Sequence, residues 1–266
     1  MTTLQIIGGG RMGGALLEGL LAAGWAEASD LAVVEVDPEA RDELSQRHPQ
    51  LLVRDQPLAG ADALVAVKPH LVAEVCRKLA TVGADRVLSI AAGVTLASLE
   101  AVLPPGTRVV RAMPNTPALV GAGAAAVTGG TAAEPADVKW ATGILRAVGE
   151  VVVVPESQLD AVTGLSGSGP AYVLLFLEAM VDAGVTAGLP RAAAESLARA
   201  TLLGTARMVV ETGTPPVDLR AGVTTPGGTT AAGIRVLEQR AVRAAVIDAV
   251  AAATERSRQL AAPADR

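Results

Sequence analysis

A threonine- and glycine-rich turn near the C-terminus holds the residues of this sequence best suited to bind a small ligand. The turn, residues 223–230 (VTTPGGTT), opens an amphipathic segment that ends near Glu238. The first N–H groups of a helix have no partner inside it. We therefore expect the N–H groups of Gly228, Thr229 and Thr230 to be free, and the helix dipole then favours a small anion such as a carboxylate. Alternatively, the turn is an ordinary helix cap, with Thr225 or Thr229 capping.

A second candidate site lies near the N-terminus, where Gly8, Gly10 and Gly13 match the pattern G-x-G-x-x-G. The pattern follows a predicted strand and opens a predicted helix, which is the context of a dinucleotide-binding turn. There the first glycine permits the turn, the second lets a pyrophosphate approach the backbone, and the third lets helix and strand pack closely. The alternative is a tight turn with a structural role only.

The end of the second predicted strand bears on the choice of nicotinamide cofactor. Glu35 and Asp37 lie about where an acid would hold the ribose 2′-OH and repel a 2′-phosphate. Arg41, in the next predicted helix, could instead bind a 2′-phosphate. These residues favour NADH slightly. The alternative is that Glu35 faces solvent and Asp37 caps the following helix.

Three further segments, at 66–70, 91–95 and 112–117, close predicted strands. The carboxyl ends of parallel strands form the ligand crevice of such sheets. We expect Lys68 to donate to a ribose or phosphate and Asn115 to bond a carboxamide. The alternatives are a surface lysine and a turn asparagine.

The order of elements predicts the fold class. Short apolar runs rich in β-branched residues alternate with helical stretches up to residue 155, which is typical of a doubly wound, Rossmann-type α/β domain with a parallel sheet. After Pro155 we expect helices near 167–188, 190–212, 228–238 and 241–260 and no further strand. The predicted domains are a dinucleotide-binding domain at 1–155 and an all-helical substrate-binding and dimerisation domain at 156–266. The predicted strands are Leu4–Ile7, Leu31–Val36, Ala63–Val67, Val87–Ala91, Arg108–Ala112 and Val151–Val154.

The composition limits the kinds of partner that we expect this protein to bind. The net charge is −5 and only four residues are aromatic, so neither a basic stripe nor stacking platforms indicate nucleic-acid binding. Two histidines and one cysteine, Cys76, predict no metal site, and Cys76 is expected in the core. No signal peptide or bilayer-length apolar run is expected, which predicts a soluble cytoplasmic protein without a membrane partner.

The helix over Ala171–Val185 carries apolar residues on nearly every face. Such a helix needs cover on all sides. About 110 residues provide too few other helices to cover it, so we expect a second subunit to supply the remainder.

Five tracts together resemble the Δ1-pyrroline-5-carboxylate reductase family, in the family's order and over nearly the whole chain. The last two are the most specific. They are IIGGGRMG (6–13), VKP (67–69), RAMPNTPALVGAG (111–123), LSGSGPAY (165–172) and VTTPGGTTAAGIRVLE (223–238).

The resemblance implies a homodimer, stacked in some members into a decamer of five dimers, and an NAD(P)H-dependent oxidoreductase of proline biosynthesis. The family usually uses NADPH, and many members accept NADH. The implied substrate-binding residues are Thr225, Gly227, Gly228, Thr229 and Thr230, and Thr230 sets its hydroxyl against the ring nitrogen as the catalytic residue. The implied cofactor-binding residues are Gly8, Gly10, Arg11, Met12 and Gly13 for the pyrophosphate, with Ala66, Val67, Lys68, Pro69, Met113, Pro114 and Asn115 at the nicotinamide end.

The sequence departs from the family at three points. Thr225 replaces the commoner serine but keeps the hydroxyl. Ala221 and Gly222 stand where many relatives have Asp-Asn, so a charge is dispensable or compensated there. Glu35 replaces a neutral residue and puts the usual NADPH preference in doubt.

The implied reaction fits what the chain lacks. An imine nitrogen is basic enough to enter protonated, so hydride transfer needs orientation rather than a metal or a Ser-His-Asp set.

Two alternative functions remain for this sequence. A β-hydroxyacid dehydrogenase needs a catalytic lysine on the long helix, whereas this chain has only Lys68, Lys78 and Lys139, none in the helical half. A nucleotide-sensing protein without turnover would have no need of the turn at 223–230.

Overall fold

The computed structural model describes residues 2–261 and contains one eight-stranded sheet. The strands are β1 (Leu4–Ile7), β2 (Leu31–Val34), β3 (Leu52–Arg54), β4 (Asp62–Val65), β5 (Arg86–Ser89), β6 (Arg108–Met113), β7 (Gly123–Gly129) and β8 (Gly149–Val153). Their order in the sheet is β3-β2-β1-β4-β5-β6-β7-β8. All neighbours are parallel except β6 and β7, whose antiparallel register pairs Val110 with Gly129. The order reverses beside β1, which pairs with both β2 and β4, and this is where doubly wound sheets bind ligands.

Helices cover both faces of the sheet and form the C-terminal part. They are α1 (Arg11–Ala22), α2 (Pro38–Arg47), α3 (Val72–Thr81), α4 (Leu96–Glu100), α5 (Pro135–Arg146), α6 (Leu159–Val162), α7 (Gly169–Thr186), α8 (Arg191–Thr212), α9 (Pro216–Gly222), α10 (Thr229–Gln239) and α11 (Val242–Ala261). Local sequence explains several starts. Asp37 caps α2 by accepting the N–H of Glu39, and Glu134 and Asp137 form a capping box before α5, which has Pro135 in its first turn.

Two apolar layers pack on the opposite faces of the sheet. One is built around Leu16, Leu17 and Leu20 of α1 and Ile144 of α5. The other contains Val72, Cys76 and Leu79 of α3. Burial on both faces explains why the central strands are continuous apolar runs. The prediction that Cys76 lies in the core is confirmed, since it is fully buried.

The predicted fold class is confirmed, but two strands were not predicted. β3 (LVR) is only three residues long and mostly exposed, so it is too short to form a recognisable apolar run. β7 has the sequence GAAAVTG, and glycine and alanine are poor strand formers. The short helices α6 and α9 were not predicted either. Several predicted strands also extend one or two residues beyond the observed ends.

The chain separates into two compact units at positions other than 155. The first contains the residues up to Ser168 together with those from Ala251 onward, and the second is Gly169–Val250. The sequence placed the start of the helical domain at residue 156 and kept the last helix wholly inside it. Residues 262–266 of that predicted domain lie outside the described part of the chain.

The second unit has a thin core in the described chain. Its buried apolar cluster is Val181, Ala194 and Ala198. The apolar residues of α7 are largely uncovered in the protomer; Leu174 and Leu175, for example, are 56% and 68% exposed. One helical stretch, Glu156–Thr186, is long and apolar enough to cross a membrane by length and composition, and 11% of its most apolar window is buried.

Candidate active site

The three motif glycines of the turn between β1 and α1 have different surroundings. Gly8 adopts a φ of +102°, which favours glycine, and its N–H donates to the carbonyl of Val34 at 2.8 Å. A Cβ on Gly13 would overlap the carbonyl oxygen of Gly8, so the helix approaches the strand end more closely than any side chain allows. A Cβ on Gly10, in contrast, would meet nothing within 4 Å. The open space at Gly10 is therefore available to a ligand.

The start of α1 presents backbone donors toward that space. Gly10 is the N-cap residue and supplies no side-chain cap, and the first helical bond runs from Gly14 N to Gly10 O at 2.7 Å. The N–H groups of Arg11, Met12 and Gly13 precede that bond. Such a helix start attracts phosphate through its free donors and its dipole. These residues fit the diphosphate of a dinucleotide.

A cleft of about 580 Å³ runs along the carboxyl ends of β1, β2 and β4. Lys78 in its wall pairs with Glu74 at 2.9 Å, and this hydrogen bond and charge lower the pKa of the Glu74 carboxyl. The predicted cofactor residues that line the cleft are Gly8, Gly10, Glu35, Ala66, Val67 and Lys68.

Glu35 is held by backbone donors at the end of β2 rather than turned to solvent. Its Oε2 accepts from Gly9 N at 2.8 Å, and its Oε1 accepts from Val36 N at 2.8 Å and Asp37 N at 3.1 Å. The Arg41 guanidinium donates to the carbonyls of Glu35 and Val36, each at 2.9 Å. The alternative that Glu35 faces solvent is therefore wrong. The alternative that Asp37 caps the following helix is confirmed, because Asp37 caps α2. A fixed negative charge lies beside the glycine turn.

A second cavity of about 540 Å³ lies farther along the sheet, at the loops that follow β4 and β5. Pro69 lines it as a predicted cofactor residue. Arg256 and Ser257 of α11 line it as well, and sequence reasoning missed both. Ser257 is 5% exposed and donates to Asp160 Oδ1 at 2.7 Å. No local signal pairs residues 97 positions apart, so this contact could not have been found from spacing.

The loop after β6 has a different geometry from the one expected. Met113, Pro114 and Asn115 line neither of these two clefts. Asn115 is 9% exposed; its Nδ2 donates to Ser166 O at 3.0 Å, and its Oδ1 accepts from Ala124 N at 2.8 Å. Both ends of the amide are thus bonded within the first unit. Its contact with a carboxamide stays a prediction.

In the second unit, the turn at 223–230 ends in an uncapped helix start. Gly227 has a φ of +73°, and a Cβ on Gly228 would come within 2.5 Å of Thr225 Oγ1. Gly228 N donates to Thr225 O at 3.0 Å, so the expectation that this N–H is free is wrong. The turn uses that bond to close on itself before α10 begins.

The donors that remain belong to the first residues of α10. No side chain in the described chain caps the helix, which rules out the cap alternative for Thr225 and Thr229. The first helical bond runs from Ala232 N to Gly228 O at 3.2 Å, so the N–H groups of Thr229, Thr230 and Ala231 precede it. Thr225 and Thr229 are exposed and Thr230 is half-buried. The arrangement suits a carboxylate.

The doubly wound sheet and its glycine turn define a Rossmann-type oxidoreductase that uses a nicotinamide dinucleotide. Family models agree. Residues 3–93 match the model described as NADP oxidoreductase coenzyme F420-dependent, and residues 156–260 match the model described as pyrroline-5-carboxylate reductase dimerisation.

Individual relatives identify the family. A pyrroline-5-carboxylate reductase of Synechocystis sp. is 46% identical over 97% of this chain and 97% of its own. The solved pyrroline-5-carboxylate reductase structure from Coxiella burnetii has a TM-score of 0.92 at 36% identity, over 98% of this chain and 99% of that chain. The Plasmodium falciparum structure with NADP bound has a TM-score of 0.84 at 30% identity, over 98% of each chain. The chain belongs to the pyrroline-5-carboxylate reductase family.

Proposed function

We propose that this protein reduces the C=N bond of 1-pyrroline-5-carboxylate to give L-proline, with hydride from a reduced nicotinamide cofactor. One observation carries the proposal: within residues 2–261, two helices, α1 and α10, begin after a glycine that supplies no side-chain cap. The first fits a diphosphate and the second fits a carboxylate. A dinucleotide and a small carboxylic acid are the two partners of this reaction.

Binding and orientation account for the mechanism. When bound, the cofactor would supply a hydride from C4 of its nicotinamide to the imine carbon, which is C2 of 1-pyrroline-5-carboxylate and becomes C5 of proline. The N–H groups of Thr229, Thr230 and Ala231 hold the substrate carboxylate, and Gly227 and Gly228 give the turn its shape. The Thr230 hydroxyl orients the protonated ring nitrogen, with Thr225 bordering the carboxylate. Holding both partners in a reactive geometry contributes most of the acceleration.

The cofactor residues follow the same logic. The N–H groups of Arg11, Met12 and Gly13 hold the diphosphate. Lys68 and its neighbours Ala66, Val67 and Pro69 border the path toward the nicotinamide, as do Met113 and Pro114 in their loop. We assign NADH as the preferred cofactor, because the fixed carboxylate of Glu35 favours a ribose 2′-OH and repels a 2′-phosphate. The solved Plasmodium falciparum relative has NADP bound, so this assignment sets our protein apart from that relative.

The assembly proposed is a homodimer, with five dimers stacked into a ring. The uncovered apolar face of α7 supports a partner subunit as its cover, and the dimerisation family model spans this helix. With that cover the apolar face of α7 is a subunit interface. The proposed location is the cytoplasm, where proline is made, with neither nucleic acid nor membrane as a partner.

A single spectroscopic assay tests the function. Purified protein is mixed with 1-pyrroline-5-carboxylate and either NADH or NADPH, and loss of the reduced-nicotinamide absorbance is followed. We expect turnover with both and a higher kcat/KM with NADH. A 3-hydroxy acid with oxidised cofactor tests the dehydrogenase alternative. Cofactor binding by calorimetry without any turnover would instead establish the nucleotide-sensing protein.

A further inference from the structure

The helical segment between α6 and α7 contains a π turn. Residues Thr163–Gly167 form it, and Ser168 N donates to Thr163 O, five residues earlier, at 2.8 Å. Pro170 follows closely and has no N–H. The Ser166 carbonyl therefore cannot receive the usual helical hydrogen bond from the residue four positions later. Single π turns are frequent at functional sites.

Asn115 supplies the donor that the helix lacks. Its Nδ2 donates to Ser166 O at 3.0 Å while its Oδ1 accepts from Ala124 N at 2.8 Å. It is the only asparagine in the sequence, and its side chain is almost wholly buried. The amide thus joins the π turn to the start of strand β7 and acts as a brace between them.

A second, apolar contact lies beside this brace. A Cβ on Gly167 would come within 2.8 Å of the Met113 methyl group. The end of β6 and the π turn therefore touch through a methionine on one side and the backbone of a glycine on the other. The hydrogen bond of Asn115 and this contact therefore join the same two segments.

The π turn forms one wall of the 540 Å³ cavity. Thr163 and Ser168, at its two ends, line the cavity together with Gly93 and Val94 from the loop after β5. We propose that Asn115 is a positioning residue, which sets this wall through the Ser166 carbonyl and so fixes the space for the reacting ring. The proposal rests on the proposed function, which assigns Pro69 in the wall of this cavity to the nicotinamide end of the crevice. This positioning role takes the place of the direct contact with the cofactor carboxamide that the sequence predicts for Asn115.

The variant Asn115→Asp tests the proposal because it is isosteric. The carboxylate still accepts from Ala124 N but cannot donate to Ser166 O. Since small misplacements of reacting groups are costly, we expect kcat to fall by about 10- to 100-fold. The dissociation constant for NADH, measured by calorimetry, should stay unchanged. A weaker NADH affinity with unchanged kcat would show that Asn115 contacts the cofactor, and would overturn the proposal.

A second substitution provides a rescue. Pro170→Ala supplies an N–H four residues after Ser166, although the carboxylate at position 115 still lies against the Ser166 carbonyl. The double variant of Asn115→Asp and Pro170→Ala should therefore recover part of the lost kcat. Equal kcat in the single and double variants would overturn the role assigned to the Ser166 carbonyl. If Asn115 had only a structural role, kcat would not depend on whether the Ser166 carbonyl has a hydrogen-bond donor.

Gln5 offers a matched control. It is another fully buried amide, and it bonds the backbone of Leu58 and Ala61 at the start of β1. Gln5→Glu should lower the urea midpoint of unfolding and leave kcat unchanged, whereas Asn115→Asp should lower both. An equal loss of kcat in the two variants would overturn the proposal. Absence of turnover in the wild-type protein would instead refute the proposed function, so the two failures are distinguishable.

Discussion

Arg111 donates from Nη1 to Glu156 Oε1 at 2.8 Å, from a side chain that is 7% exposed. The same oxygen accepts the N–H of Leu96 at 2.7 Å, at the first residue of α4. One carboxylate therefore joins β6, the segment after β8 and the end of the loop that carries Gly93 and Val94. The pair stabilises the first unit next to the 540 Å³ cavity.

Glu156→Gln should lower the free energy of unfolding by about 1–3 kcal/mol, because it weakens a bond to a buried guanidinium. Urea denaturation measures the change. The matched control is Glu211→Gln, since Glu211 pairs with Arg207 on the exposed face of α8 and should contribute less than about 0.5 kcal/mol. Equal losses in the two variants would contradict the difference in burial.

Alanine at the two glycines of the turn should separate stability from binding. Gly13→Ala places a Cβ against the carbonyl oxygen of Gly8 and should lower both the melting temperature and cofactor affinity. Gly10→Ala finds open space and should weaken NADH binding with little change in melting temperature. Thermal unfolding and calorimetric titration measure the two effects. The same melting temperature for both variants would argue against the close approach.

Thr230→Ala should lower turnover by about 10- to 100-fold, the effect of losing one hydrogen bond in the transition state. Thr230→Ser keeps the hydroxyl and should restore most of the rate. Steady-state kinetics with 1-pyrroline-5-carboxylate measures both. Unchanged kinetics in the alanine variant would remove Thr230 from the mechanism.

Glu35→Gln should shift cofactor preference toward NADPH by about tenfold in the ratio of kcat/KM values, because it removes the charge that opposes the 2′-phosphate. The amide is isosteric, and its one oxygen can still accept from Val36 N and Asp37 N, whereas Gly9 N loses its acceptor. We therefore expect weaker binding of both cofactors together with the change in the ratio. Asp42→Asn on the exposed side of α2 is the control and should leave the ratio unchanged. A ratio that moves equally in both variants would point to general surface charge.

The Cys76 thiol should be inert in the folded protein. Burial raises its pKa from 9.0 to about 11. Between these values the unfolded chain loses the proton while the folded chain keeps it, so stability is fully present below pH 9 and falls as the pH rises toward 11. A thiol reagent at pH 8 should react only after unfolding in urea. Rapid labelling of the native protein would contradict the burial of this residue.

Local pattern predicted much of the sheet, because buried parallel strands are continuous apolar runs. Leu4–Ile7 is found where it was expected, and the helix Pro38–Arg47 has the expected ends. β7 could not be predicted, since alanine and glycine form a strand there only through pairing with β6 and β8. Long-range pairing overrides weak local preference.

The candidate site likewise contains features that local sequence predicts and features that only long-range contacts create. The glycine turn and the helix start at Thr229 depend on contiguous residues, and a motif was enough to find them. The bond of Asn115 to Ser166 spans 51 positions, and that of Ser257 to Asp160 spans 97. Only the folded chain brings such partners together, so the brace at the π turn and the contribution of α11 could not be found from spacing.

The small buried cluster of Val181, Ala194 and Ala198 has a consequence for how the protein folds and assembles. Because this unit buries so few apolar residues of its own, association with a second chain should provide most of its stability, and its folded fraction should then depend on protein concentration. Dilution should then act as a denaturant, and recovery after unfolding should accelerate with chain concentration.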